Sequence, residues 1–96
     1  MNRIVWLPRA RIARQRAIDY IATDNPAAAL DQLDEIERQT DMLGSYPEIG
    51  RIGRLAGTRE LVVARTSFIL VYRIVGDTVQ ILHFLHGAQQ WPEDGD

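Results

Sequence analysis

The chain contains no cysteine and no lysine. Without cysteine neither a disulfide framework nor a thiolate metal site can form, and a reducing, cytoplasmic location is the natural reading. No apolar run approaches the roughly 20 residues that a membrane span requires, and the N-terminal MNRIVWLPRARIARQR lacks the apolar core of a signal peptide. Neither a membrane role nor export is expected. Internal repeats and low-complexity segments are also missing, and 46% apolar with 25% charged residues is ordinary globular composition. The expectation is a single domain spanning residues 1–96, with roughly two thirds of its unfolded surface buried on folding.

What is present is unevenly spread. All 11 basic residues are arginine, and five of them fall in the first 16 positions, whereas residues 24 to 48 are rich in carboxylates against the single Arg38. A formal net charge of -2 argues against a general nucleic-acid coat. Where arginines cluster, their planar fork suits phosphate or carboxylate groups.

Residues 2 to 7, NRIVWL, are apolar and partly β-branched and stop at Pro8, which predicts an opening strand. Over residues 8 to 23 the period changes, so that Ala10, Ala13, Ala17, Tyr20 and Ile21 share one helical face. Asn25 is then positioned as a cap, with Pro26 at the first position of a second helix. That helix is predicted over residues 26 to 43, with Ala29, Leu33, Ile36, Thr40 and Leu43 inward, Asp31, Asp34, Glu35 and Asp41 outward, and Gly44 ending it. The stretch GSYPEIGRIGRLAGT reads as a connecting loop displaying Arg51 and Arg54. Three strand-like runs follow, RELVVA, FILVYRIV and TVQILHFL, the last two joined by the hairpin signal Gly76-Asp77.

Simple alternation through that hairpin places Phe68, Leu70, Tyr72, Ile74, Val79, Ile81, His83 and Leu85 on the core face. The reverse face then carries Arg73, Thr78 and Gln80 near the turn and an apolar group, Ile69, Val71, Leu82 and Phe84, at the far end. A sheet with one wet side should not expose such a group, so it needs a cover: the C-terminal tail with Trp91, another subunit, or a different protein. His83 reads as a packing residue, whereas His86, beside Gly87 where the strand ends, is placed to meet solvent or a partner. The two histidines fall on opposite strand faces with no third ligand nearby, so neither a metal nor any other cofactor is expected.

Four pieces in order, YIATDNPAAA, YPEIGR, RELVVARTSFILVYRI and VQILHFLHGAQQWP, resemble the ParE/RelE superfamily of toxins from type II toxin–antitoxin systems, over about residues 5 to 92. The resemblance implies an α+β fold in which an N-terminal strand and a two-helix hairpin pack on an antiparallel sheet of about four strands. It also implies a cytoplasmic toxin held in a hetero-oligomer by a ParD- or RelB-like antitoxin encoded beside it. ParE-like members poison DNA gyrase, while RelE-like members cut messenger RNA in the ribosome. Ile69 stands where RelE carries an arginine, and Glu60 and Val62 replace expected basic residues, whereas the pair Leu85-His86 looks like the last strand of gyrase-directed members. The ParE-like reading is therefore preferred. The alternative is a ribosome-dependent endoribonuclease using Arg65, Arg73, His83 and His86, and an inert member that has lost toxicity is a third possibility. On the preferred reading, Ile69, Val71, Arg73, Leu82 and Phe84 receive the antitoxin, and Arg65, His86, Gln89 and Trp91 meet the target.

Overall fold

The computed structural model describes residues 1–87 and 89–92. The elements follow in the order β1 (Arg3–Trp6), α1 (Pro8–Asp24), α2 (Pro26–Ser45), β2 (Arg51–Ile52), β3 (Arg59–Val62), β4 (Phe68–Val75) and β5 (Thr78–His86). They form a mixed sheet of order β1-β5-β4-β3-β2. Neighbours are antiparallel except β1, which lies parallel to β5. The two-residue β2, inside the stretch expected to be loop, extends the anticipated four strands to five.

Local chemistry sets the helix boundaries. Pro8 occupies the first turn of α1 after an extended Leu7, where its missing N–H costs nothing. Asn25 breaks the helical run, and its side-chain oxygen accepts from the Ala28 amide at 3.0 Å, capping α2. Gly44 does not end α2, which continues to Ser45. Its role is close approach: the Asn2 amide donates to the Gly44 carbonyl at 2.7 Å, and a Cβ on Gly44 would lie 3.2 Å from the Asn2 carbonyl oxygen. The missing side chain lets the start of the chain lie against the end of α2.

Both helices cover one face of the sheet. Ala10, Ile18, Ala29, Ile36 and Leu43 meet Phe68, Leu70, Tyr72, Val79, Ile81 and Phe84 in one buried cluster. The α2 face is as expected, but α1 turns Ile18 inward and leaves Tyr20 80% exposed. Ile18 and Ile21 are one helical turn apart and share the inner flank, and Tyr20 between them falls on the outer one. Tyr72 is fully buried; its hydroxyl donates to the Pro47 carbonyl at 2.7 Å and accepts from the Gly50 amide at 2.9 Å, pinning the α2–β2 connection to the sheet.

The β4–β5 hairpin departs from simple alternation. Pairing runs as expected from Val75↔Thr78 to Tyr72↔Ile81, but Val71 then pairs with His83, leaving Leu82 as the extra residue of a β-bulge. A one-residue slip exchanges the faces of everything beyond it. Phe84, expected on the reverse face, therefore lies in the helix-side core, with its ring centroid 4.8 Å from Phe68 and 6.4 Å from Trp6. His83 and Leu85, expected in the core, pair with the reverse-face residues Val71 and Ile69. Ile74, also expected in the core, is 36% exposed near the turn.

Candidate functional site

Two features distinguish the end of β5. The first is a groove on the helix face. β1 pairs with β5 only as far as Ile81, so the last part of β5 has no strand on its outer side and is met by α1 instead. Ala13 and Ala17 are small, and with Phe68 and Phe84 they line an apolar groove of about 500 Å³. Arg16, Tyr20, Gln32, His86 and Gln89 supply its polar lining. His86 pairs with Phe68 and so faces this side, its ring edge-on to Phe68 at 6.2 Å between centroids. The turn after β5 is held by the Gly87 amide on the Ser67 carbonyl at 2.5 Å and by the Gln89 amide on the His86 carbonyl at 2.9 Å.

The second feature is an arch over the reverse face. Glu60, Val71 and His83 are successive cross-strand neighbours on β3, β4 and β5. The Glu60 side chain has no exposed surface, and its carboxylate accepts from Arg51 NH2 at 2.9 Å and from Arg54 through the main-chain amide at 2.9 Å, Nε at 3.1 Å and NH2 at 3.0 Å. Arg54 NH1 donates to the Trp91 carbonyl at 2.9 Å. The Trp91 ring lies over His83 with centroids 4.5 Å apart. This chain of contacts bridges β3 and β5 across Val71, which is fully buried. Burial alone would raise the Glu60 pKa, but the Arg54 and Arg51 hydrogen bonds outweigh it and hold the group at about 2.

The residues expected to receive an antitoxin do not form one exposed patch. Phe84 is on the other face, in the core, and Val71 is sealed beneath the arch. Ile69 and Leu82 are partly buried, and Arg73 donates from Nε to Gln80 Oε1 at 2.7 Å near the hairpin turn. Part of the cover over the reverse face comes from the chain's own Trp91, whose ring lies against His83 and whose carbonyl is held by Arg54. Of the residues expected to meet the target, His86 and Gln89 line the groove, and Gln89 also borders an adjoining cleft with His83 and Trp91. Arg65 stands apart on the β3–β4 turn at φ 63°, where its NH2 reaches Glu35 Oε1 at 3.3 Å. The Arg38 side chain is the main influence holding the Glu35 carboxyl below its ordinary value, with Gln39 and Arg65 adding to it.

The groups proposed for RNA cleavage do not share one face, since Arg73 and His83 lie on the reverse side and His86 on the helix side. Arg73 and the partner of His86, Phe68, lie at opposite ends of β4, roughly 17 Å apart at the usual strand rise. Sequence reasoning missed Glu60 and Arg54 as a pair. The available signal was a lone carboxylate in a strand, with arginines displayed on the loop before it.

A two-helix hairpin on one face of an antiparallel meander, with an N-terminal strand added in parallel at the edge, defines the structural class as a two-layer α+β fold. One solved structure, described as the chromosomal ParDE TA system from P. aeruginosa, matches with a TM-score of 0.80 and 25% sequence identity, covering 90% of this chain and 96% of that one. A protein of Sinorhizobium fredii (strain NBRC 101917 / NGR234) named "Putative toxin Y4kP" is 43% identical over 92 residues, 96% of this chain and 95% of that protein. The family model described as ParE toxin of type II toxin-antitoxin system, parDE, matches residues 4–91. The chain belongs to the ParE toxin family of type II toxin–antitoxin systems.

Proposed function

We propose that the protein is the toxic partner of a cytoplasmic toxin–antitoxin pair, that it acts by protein contact on DNA gyrase, and that a cognate ParD-like antitoxin neutralises it in a hetero-oligomer. The split of Arg73 and His83 from His86 across the two faces of the sheet supports this reading, because a 2′-hydroxyl attack needs its base, acid and phosphate-holding cations around one phosphate. A topoisomerase poison that works by contact needs only a complementary surface. That surface is assigned to the end of β5 and the segment after it, with His86, Gln89 and Trp91 as its contacts and Arg65 at its margin.

The antitoxin is assigned to the groove between α1 and β5. Its floor of small and aromatic side chains suits the apolar face of a docked segment, and Arg16 on its lining suits a carboxylate. An occupant there covers His86 and Gln89, so neutralisation follows from occlusion. Of the residues first expected to receive the antitoxin, Phe84 keeps that role as part of the floor.

Induction of the toxin without antitoxin tests the reading. DNA breaks with activation of the damage response are expected. Rapid loss of messenger RNA within translated codons would overturn gyrase in favour of the ribosome, and unchanged growth would mark an inert member of the family.

A further inference from the structure

We propose that Arg54 and Glu60 form a clasp that positions the C-terminal segment, and that toxicity depends on this clasp because it fixes where residues 89 to 91 stand. The inference rests on the assignment of Gln89 and Trp91 to the target surface made above. It adds two positioning residues, neither of which touches the target.

The geometry is specific to arginine. Nε and NH2 of Arg54 take the two oxygens of Glu60 side by side, which leaves NH1 free to hold the Trp91 carbonyl. A lysine carries its three donors on one nitrogen and cannot reproduce the two parallel bonds to Glu60 while also spanning to the Trp91 carbonyl in this geometry. The β2–β3 loop is shaped to deliver this side chain. The Gly53 amide donates to the Thr58 carbonyl at 2.8 Å, a Cβ on Gly53 would meet the Thr58 hydroxyl at 2.2 Å, and Gly57 adopts φ 78°. Glu60 in turn is buried, so its carboxylate cannot swing out to solvent and the fork it orients is fixed.

One observation separates positioning from mere packing. The clasp grips the segment by its main chain, at the Trp91 carbonyl, so it sets the path of the backbone whatever the side chain.

The test uses the full chain with Arg54→Lys and Glu60→Gln, compared with Trp91→Ala. Hydrogen exchange of the amides at 89 to 91 is expected to rise by about tenfold in Arg54→Lys, as for loss of a charge-assisted hydrogen bond, while exchange in α2 stays as it was. Growth inhibition at matched protein level is expected to fall in both clasp variants and in Trp91→Ala, with antitoxin still captured by each. Arg54→Lys retains the cation beside Glu60 and so keeps the comparison usable if Glu60→Gln folds poorly. Unchanged exchange at 89 to 91 in Arg54→Lys overturns the clasp. Full toxicity of the clasp variants alongside a non-toxic Trp91→Ala overturns the clasp alone, whereas full toxicity of Trp91→Ala overturns the target surface and the clasp with it.

Discussion

Glu60 keeps its charge inside the protein because Arg54 and Arg51 replace the water it has lost. A carboxyl whose pKa is lowered on folding contributes stability above its unfolded value, 4.5, and loses that contribution as the pH falls towards about 2. The shift corresponds to on the order of 3 kcal/mol. Urea unfolding followed from pH 6 to pH 2.5 should therefore show a steep loss of stability below about pH 4.5. Glu60→Gln should be less stable than the native protein at neutral pH, because an amide N–H then faces guanidinium donors, and the gap should narrow as the acid limb is descended. An equal gap at every pH would refute the assignment. The same residue illustrates what sequence reading leaves hidden. RELVV marks β3 correctly, but alternation alone does not distinguish a carboxylate that points to water from one roofed by a loop arginine. The loop's path, set by Gly53 and Gly57, decides that.

At the scale of the element, the sequence carried much of the answer. Pro8, Asn25, Pro26 and the Gly76–Asp77 turn each act locally, through a fixed φ, a cap or a tight reversal, and all fall where the reading placed them. The strand β4 was legible from end to end. The bulge at Leu82 was not, because an extra residue in one strand leaves no mark on composition or on short-range periodicity and is selected by what the strand must pack against on each side. It lets Ile81 and Phe84 both face the helices although they are three residues apart. Deleting Leu82, the extra residue, should leave a plain ladder with Val71 still opposite His83 and Phe84 still inward. The expected loss is small, whereas Phe84→Ala, which empties the inward position itself, should cost roughly 3 to 5 kcal/mol, the range for truncating a buried phenylalanine. Thermal unfolding of the two variants makes the comparison, and a deletion as damaging as Phe84→Ala would mean that the bulge itself is needed.

Across the whole molecule the two ends of the sheet differ in kind. At one end the chain start, the end of α2 and the β4–β5 turn are tied by main-chain bonds, Asn2 to Gly44 and Arg3 to Asp77 at 2.8 Å. At the other, α1 and β5 diverge over the groove, and the chain turns back to the arch. This arrangement predicts separable effects. Ala17→Glu puts a charge on the groove lining of a partly buried helix position, and it should abolish capture of the antitoxin while leaving the melting temperature within about 1 kcal/mol equivalent of the native value. Undiminished capture would remove the groove as the antitoxin's seat. The groove could not be read from sequence because it depends on where β1 stops along β5, a long-range register, while its lining residues Ala13, Ala17 and Ile21 look like any inward helical face. Because Asn2 is stitched in place while Met1 beside it is fully exposed, a fluorophore attached ahead of Met1 would sit at a stationary origin by the hairpin turn. Energy transfer from that origin to a dye at position 89 would then follow the C-terminal segment directly in the free toxin, when the antitoxin is bound and when gyrase is added.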